Sequence, residues 1–312
     1  MQITVLGKSP SWQDADGACS GYLVQEGDYA LLLDCGNGVF SKLRRFRDYV
    51  DVDAVLISHL HSDHFFDLVP FANALAYSPR RQRVLAGAGG GNEDPRGEPQ
   101  PPGGAPANDR PAHSEPQPPA GAPANDRPDH SEPQPPAGAP ANDRPDRPQL
   151  HAPPGSAHVF RSLTGCWGDA DLIGRAFELR EFHAADALTL GPFTVRFCEV
   201  PHFTRTYAVE LANRRVRLTY SADCSPNEDL VRFARDTDLM LIEATLTQPE
   251  RSGERGHMTP REAGDHGRRA GARRLVITHY SDELDAELLR AEAHDGYRAA
   301  VELAEEGATY SL

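Results

Sequence analysis

The chain of 312 residues is 39% hydrophobic, enough for a sizeable core, and its 46 acidic against 32 basic side chains leave a formal net charge of −14. Such a charge repels polyanions at long range, so a nucleic-acid substrate would need a local basic patch or a metal. Five scattered cysteines in no CxxC pair exclude a disulfide framework and a cysteine zinc knuckle, and no apolar run of about 18 residues offers a membrane span. The expectation is a soluble, cytoplasmic protein with no membrane partner.

In chain order, "ITVLG", "GYLVQ" and "YALLLDCG" predict three strands, followed by a helix at about Val39–Tyr49. "DAVLISH" predicts the next strand and His64–Tyr77 the next helix. The composition then breaks near Asn92 and recovers near His151. Between them "GAPANDRPAHSEPQPPA" (Gly104 to Ala120) recurs as "GAPANDRPDHSEPQPPA" (Gly121 to Ala137), a period of 17 residues, and a third copy fades after Asp146. Each unit lacks Leu, Ile, Val and Phe, so stacked copies would bury almost nothing, and proline blocks helices and ladders. Residues 93–150 are therefore predicted to be a disordered, Pro-rich repeat insertion within one domain spanning 1–312. Residues 93–147 hold ten acidic and five basic side chains, so −9 of the net charge stays on the remainder.

Beyond the insertion, "FTVRFCEV", "YAVEL" and "RVRLTYSAD" predict strands, Pro226–Arg235 a helix, "DLMLIEA" a strand, Thr259–Gly271 a helix, "RLVITHY" a strand and Asp282–His294 a helix. The apolar runs Val55–Ile57, Leu239–Ile242 and Leu275–Ile277 read as strands buried on both faces, so helices should cover the sheets in an α/β protein.

The densest chemistry lies in "ISHLHSDHFFD", Ile57 to Asp67. His59 and His61 are two apart as a strand ends, and Asp63 and His64 turn with the helix start. Imidazoles with carboxylates suit zinc, manganese or iron better than calcium or magnesium, which prefer oxygen alone. Three more metal-capable side chains end apolar runs: His202 in "FCEVPHFT", Asp223 in "LTYSADCS" and His279 in "LVITHYS". Any one alone is more often structural, and Asp223 could cap the following helix. Glu243 also ends a strand, where it could orient a ligand. His151, His158, His183, His266 and His294 read as surface residues; Trp12 could stack on a base and Arg205 could meet a phosphate, but loop packing and solvated charge are the plainer readings.

The HxHxDH motif at His59, His61, Asp63 and His64, followed in order by His202, Asp223 and His279, resembles the metallo-β-lactamase superfamily over nearly the whole chain outside the insertion. The resemblance implies a four-layer αββα sandwich holding two divalent metal ions, zinc first with manganese or iron as alternatives, at one edge of its sheets. His59, His61 and His202 would hold the first ion, Asp63, His64 and His279 the second, and Asp223 would bridge both; Asp63 would also be catalytic. The implied reaction is hydrolysis by a water activated between the ions. No GxGxxG or Walker lysine motif implies a nucleotide cofactor.

His257, 22 residues before His279 in "GHMTPREAGDHGRRAGARRLVITHY", looks like the histidine that assists phosphodiester cleavage in the RNase Z branch, and is expected to act as general acid or transition-state stabiliser. The bland alternative is that it caps the helix from Thr259. RNase Z enzymes that process tRNA carry a long arm between the ligands matching His202 and Asp223, and only 20 residues separate those positions here. Long RNA is therefore disfavoured. The closest resemblance is to arm-less bacterial relatives linked to cyclic-nucleotide phosphodiesterase activity, a group that "SGYLV" and "ELAEEGATYSL" also resemble. The expected substrate is a small phosphodiester such as 3′,5′-cyclic AMP. A tRNA 3′-processing endonuclease or a thioester or lactone hydrolase are the alternatives, a non-enzymatic scaffold is disfavoured by seven intact ligands, and a homodimer is left open.

Because a solvated linker contributes no core, deleting Glu98 to Pro148 is expected to leave metal binding and turnover nearly intact. A large loss of folded protein on purification would contradict this.

Overall fold

The computed structural model describes residues 1–80, 147–250 and 253–312. The repeat insertion therefore lies outside the described residues up to Asp146.

One sheet gathers the N-terminal half and the last strand in the order β14-β1-β2-β3-β4-β5-β6. Its members are β1 (Gln2–Gly7), β2 (Gly21–Glu26), β3 (Tyr29–Leu33), β4 (Ala54–Leu56), β5 (Gln149–Ala152), β6 (Glu178–Glu181) and β14 (Thr309–Ser311). The other runs β13-β12-β11-β10-β9-β8-β7, built from β7 (Ala187–Leu190), β8 (Phe193–Val200), β9 (Thr206–Ala212), β10 (Arg217–Tyr220), β11 (Leu239–Glu243), β12 (Leu275–Thr278) and β13 (Val301–Leu303). In each sheet antiparallel strands give way to parallel ones, at the β3–β4 and β10–β11 pairings. Parallel strands need long crossovers, and these supply the helices.

Side-chain alternation divides the strands between two faces. Tyr22, Val24, Leu31, Leu33, Phe193 and Tyr207 pack between the sheets, while Leu23, Leu32 and Val55 face a separate core under the helices. That outer core is closed by α1 (Val39–Leu43), α3 (Leu68–Tyr77), α4 (Ser156–Gly165) and α5 (Leu172–Ala176). Across the molecule α6 (Glu228–Phe233), α7 (Pro260–Ala270) and α8 (Ala286–Tyr297) cover the second sheet through Met240, Ile242 and Ile277. The result is the αββα order expected from strands apolar on both faces. The α7 start is written locally: Thr259 caps it, Glu262 closes a capping box and Pro260 opens the first turn.

Several boundaries differ from the sequence expectation. The helix expected over Val39–Tyr49 stops at Leu43, and a 3₁₀ turn at Tyr49–Asp51 follows, with Asp48 accepting from Val50 N. The helix expected over His64–Tyr77 is two pieces, α2 (Ser62–Phe65) and α3, parted at Phe66 and Asp67. Asp67 there accepts from Phe40 N and so ties the break to α1. The 93–150 boundary of the insertion is also too long. Gln149 and Leu150 belong to β5, and the buried Pro148 accepts at its carbonyl from Glu178 N, so a deletion that spares the sheet must end at Asp146. His151 and His266 are buried rather than at the surface: His151 sits in β5, and His266 accepts from Asn227 N while donating to the Glu262 carbonyl.

Candidate metal centre

The strands of both sheets deliver polar residues to one place. His59 comes three residues after β4, His61 precedes α2, Asp63 and His64 lie within it, His202 follows β8, Asp223 follows β10 and His279 follows β12. The chain turns sharply at these ends. Asp34, Ala222 and His279 all hold left-handed backbone (φ 58°, 51° and 54°), a strained state for residues other than glycine that clusters at functional sites. α2 is braced against the loop after β3, where Cys35 N donates to the His64 carbonyl. Gly36 is required there, since a Cβ would lie 1.9 Å from the Asp63 carbonyl oxygen.

Three groups of ligand atoms result, each with its atoms within 4.8 Å of one another: His59, His61, His202 and Asp223, then Asp63, His64, Asp223 and His279, and then Glu243, His257 and His279. Asp223 belongs to the first two. Its Oδ2 lies 3.3 Å from His64 Nε2, 3.3 Å from His279 Nε2, 3.7 Å from His59 Nε2 and 4.0 Å from His202 Nε2. Asp63 Oδ2 lies 3.3 Å from His279 Nε2 and 3.4 Å from His64 Nε2.

The surrounding hydrogen bonds decide which ring nitrogen faces inward. Ser58 Oγ spends its proton on Asp34, so it accepts from His59 Nδ1 at 3.0 Å. His64 Nδ1 donates to Asp34 Oδ2 at 2.8 Å, and His202 Nδ1 donates to the Gly256 carbonyl at 2.8 Å. Thr245 Oγ1 donates to Glu243 and accepts from His279 Nδ1 at 2.8 Å. Four imidazoles thus turn a Nε2 lone pair to the centre, the tautomer a metal ligand needs. His61 instead presents Nδ1, 3.1 Å from His202 Nε2.

The residues fit divalent ions. Of the six buried side-chain nitrogen and oxygen atoms without a hydrogen-bond partner among the described residues, three converge here, His59 Nε2, His64 Nε2 and Asp223 Oδ1, whereas buried polar atoms are as a rule paired. Burial lowers the His59 pKa well below its ordinary value. Burial acts the same way on His64, but Asp223, Asp63 and Asp34 outweigh it and raise that pKa well above the ordinary range. The buried carboxylates therefore demand positive charge, which ions at the same place would supply in place of a proton.

His257 stands beside this cluster, its ring 4.9 Å from that of His202 and 5.7 Å from that of His279. It does not cap α7, since Thr259 fills that role. Its Nδ1 donates to Glu243 Oε1 at 3.0 Å, and although burial opposes it, that bond and the Glu243 charge push its pKa up to about 9. Glu243 also accepts from Cys224 N and from Thr245 N and Oγ1, so one carboxylate links His257 to the backbone beside Asp223 and to His279. Trp12 and Arg205 are exposed, the latter 3.5 Å from Glu199.

Sequence reasoning missed Asp34. It ends β3 as Asp223 ends β10, and it accepts from Ser58 N and Oγ, His64 Nδ1 and Tyr220 OH. The signal was present, an acidic residue closing the apolar "YALLLDCG", but no histidine or second carboxylate adjoins it in sequence.

An αββα sandwich with His/Asp ligand groups at its strand ends defines a class of metal-dependent hydrolase. The chain belongs to the metallo-β-lactamase superfamily, whose sequence profile matches residues 14–165, while that of the beta-lactamase superfamily domain matches residues 143–280. It is 27% identical over 307 residues to the probable metallo-hydrolase YhfI of Bacillus subtilis (strain 168), covering 98% of each chain. It is 28% identical over 333 residues to a ribonuclease Z of Myxococcus xanthus (strain DK1622), covering 100% of this chain and 98% of that one. The crystal structure of the metallo-beta-lactamase fold protein YhfI from Bacillus subtilis matches with a TM-score of 0.69 at 25% identity, over 99% of this chain and 98% of that one. Among the described residues no helix is long and apolar enough to cross a membrane.

Replacing Asp34 by Asn keeps the side-chain size and tolerates the left-handed backbone, but weakens the grip on His64. Zinc affinity, read by competition with a chromogenic chelator, is expected to fall about 10- to 100-fold while the fold is kept. Unchanged affinity would show that Asp34 serves only packing.

Proposed function

We propose that this protein hydrolyses small phosphodiesters, cyclic nucleotides such as 3′,5′-cyclic AMP foremost, with two divalent ions, zinc by donor preference. His59, His61 and His202 would hold one ion, Asp63, His64 and His279 the other, with Asp223 between them. When bound, such ions lower the pKa of water toward neutrality and offset charge building on phosphoryl oxygens.

The observation that carries the phosphodiester reading is the placement of His257. Its Nδ1 is committed to Glu243 at 3.0 Å, which leaves Nε2 as the nitrogen available to substrate beside the ligand cluster. A donor so placed can neutralise a phosphoryl oxygen or protonate a leaving alkoxide. Asp63, at the same edge, adds a carboxylate that can accept the proton of the attacking water.

The whole-length likeness to a ribonuclease Z favours a second reading, tRNA 3′ processing. Against it, residues 213–216 join β9 directly to β10, so no arm stands between His202 and Asp223. The −9 charge outside the insertion also opposes a long polyanion. Cytoplasmic location and a single domain enclosing the repeat insertion remain parts of this proposal.

The test is hydrolysis of bis-p-nitrophenyl phosphate, cyclic AMP, a precursor tRNA, a thioester and a lactone by zinc-loaded protein. Cleavage of both small diesters is expected, and His257→Ala should lower kcat about 10²-fold or more with metal content unchanged. Full turnover by that variant, or cleavage of the thioester or lactone alone, would overturn the proposal.

A further inference from the structure

We propose that Phe203 is a platform on which the base of the substrate stacks, so that the site selects phosphodiesters bearing a purine or pyrimidine. The proposal rests on the phosphodiesterase reading for what is cleaved, though not for the stacking itself.

Phe203 follows the candidate ligand His202 directly, and its ring is held by that neighbourhood. The ring centroid lies 5.1 Å from that of His202, tilted 49°, and 5.9 Å from that of His257, tilted 67°. One edge rests over Gly256, where a Cβ would come within 2.3 Å of Phe203 Cε2 and 2.6 Å of Cζ. The same Gly256 accepts at its carbonyl from His202 Nδ1, so the loop before α7 that orients the ligand also seats the ring. The residue is nevertheless 49% exposed.

Exposure alone means little, since single apolar side chains at a surface are ordinary. Trp12, Phe46, Tyr77 and Trp167 are exposed to a similar degree, and among the described residues none makes a ring contact with an imidazole of the cluster. Phe203 touches two of those imidazoles and still presents surface. In an acidic protein an uncharged face is a means of holding a nucleotide that does not depend on phosphate attraction, and every base has a π-face to offer.

The experiment compares zinc-loaded wild type, Phe203→Leu and Phe203→Trp by calorimetric binding of adenosine 5′-monophosphate and of ribose 5-phosphate, which lacks the base. Metal content is measured on each sample. Wild type should bind the nucleotide about tenfold or more tighter than the sugar phosphate. The Leu variant should lose about that factor for the nucleotide only, and the Trp variant should keep it. No preference in wild type, no loss with Leu, an equal loss for both compounds or a fall in metal content would overturn the proposal, the last two marking Phe203 as mere cover for His202. Turnover of cyclic AMP is followed in parallel. If no diester is cleaved while the base preference is present and depends on Phe203, the phosphodiesterase reading fails and the platform stands; cleavage without that preference gives the reverse.

Discussion

A buried carboxylate without enough partners is the constraint around which the molecule is arranged. Asp223 is 1% exposed, its Oδ1 has no hydrogen-bond partner among the described residues, and its Oδ2 faces four imidazole nitrogens between 3.3 and 4.0 Å away. Leaving such a group uncompensated costs several kcal/mol, so positive charge is needed here, which the imidazoles supply in part and a divalent ion would supply more fully. Every strand that ends there is placed by that requirement. β4 brings the HxHxDH segment from one sheet, while β8, β10 and β12 bring single ligands from the other. The two sheets must therefore meet with their strand ends aligned.

Rigidity comes from the hydrogen bonds behind the ligands. Asp34 takes four donors and holds His64, while Glu243 takes four and connects His257, Thr245 and the backbone beside Asp223. Buried networks of this kind are favourable only when every member is satisfied, and these two carboxylates are saturated while Asp223 is not. The contrast separates the roles: Asp34 and Glu243 orient side chains, and Asp223 is left to bind. His257 joins the orienting group through Glu243, a bond that engages its Nδ1 alone.

How far the molecule was legible in its sequence follows from where the information lies. The motif at His59 to His64 packs four candidate ligands into six residues, so chance is a poor account of it, and His202, Asp223 and His279 stand out as polar ends of apolar strands. Asp34 carries the same signature but acquires its partners only when β3 and β4 pair and α2 folds back, contacts that no local pattern records. The strands overlooked were short or lay at edges. β6 reads Glu-Leu-Arg-Glu because it is the last strand of its sheet and faces water, and β5 starts directly behind the repeat insertion, where the composition has barely recovered. His151 and His266 were misplaced for a related reason: a histidine that satisfies its own nitrogens inside a core looks, in sequence, like one at the surface.

The account stands on two ions sharing Asp223, and X-ray diffraction from crystals of the zinc-loaded protein, measured on both sides of the zinc edge, tests it most directly. Two anomalous peaks flanking the Asp223 carboxylate, one against His59, His61 and His202 and the other against Asp63, His64 and His279, are the expected result. A single peak, or zinc bound away from Asp223, would contradict it.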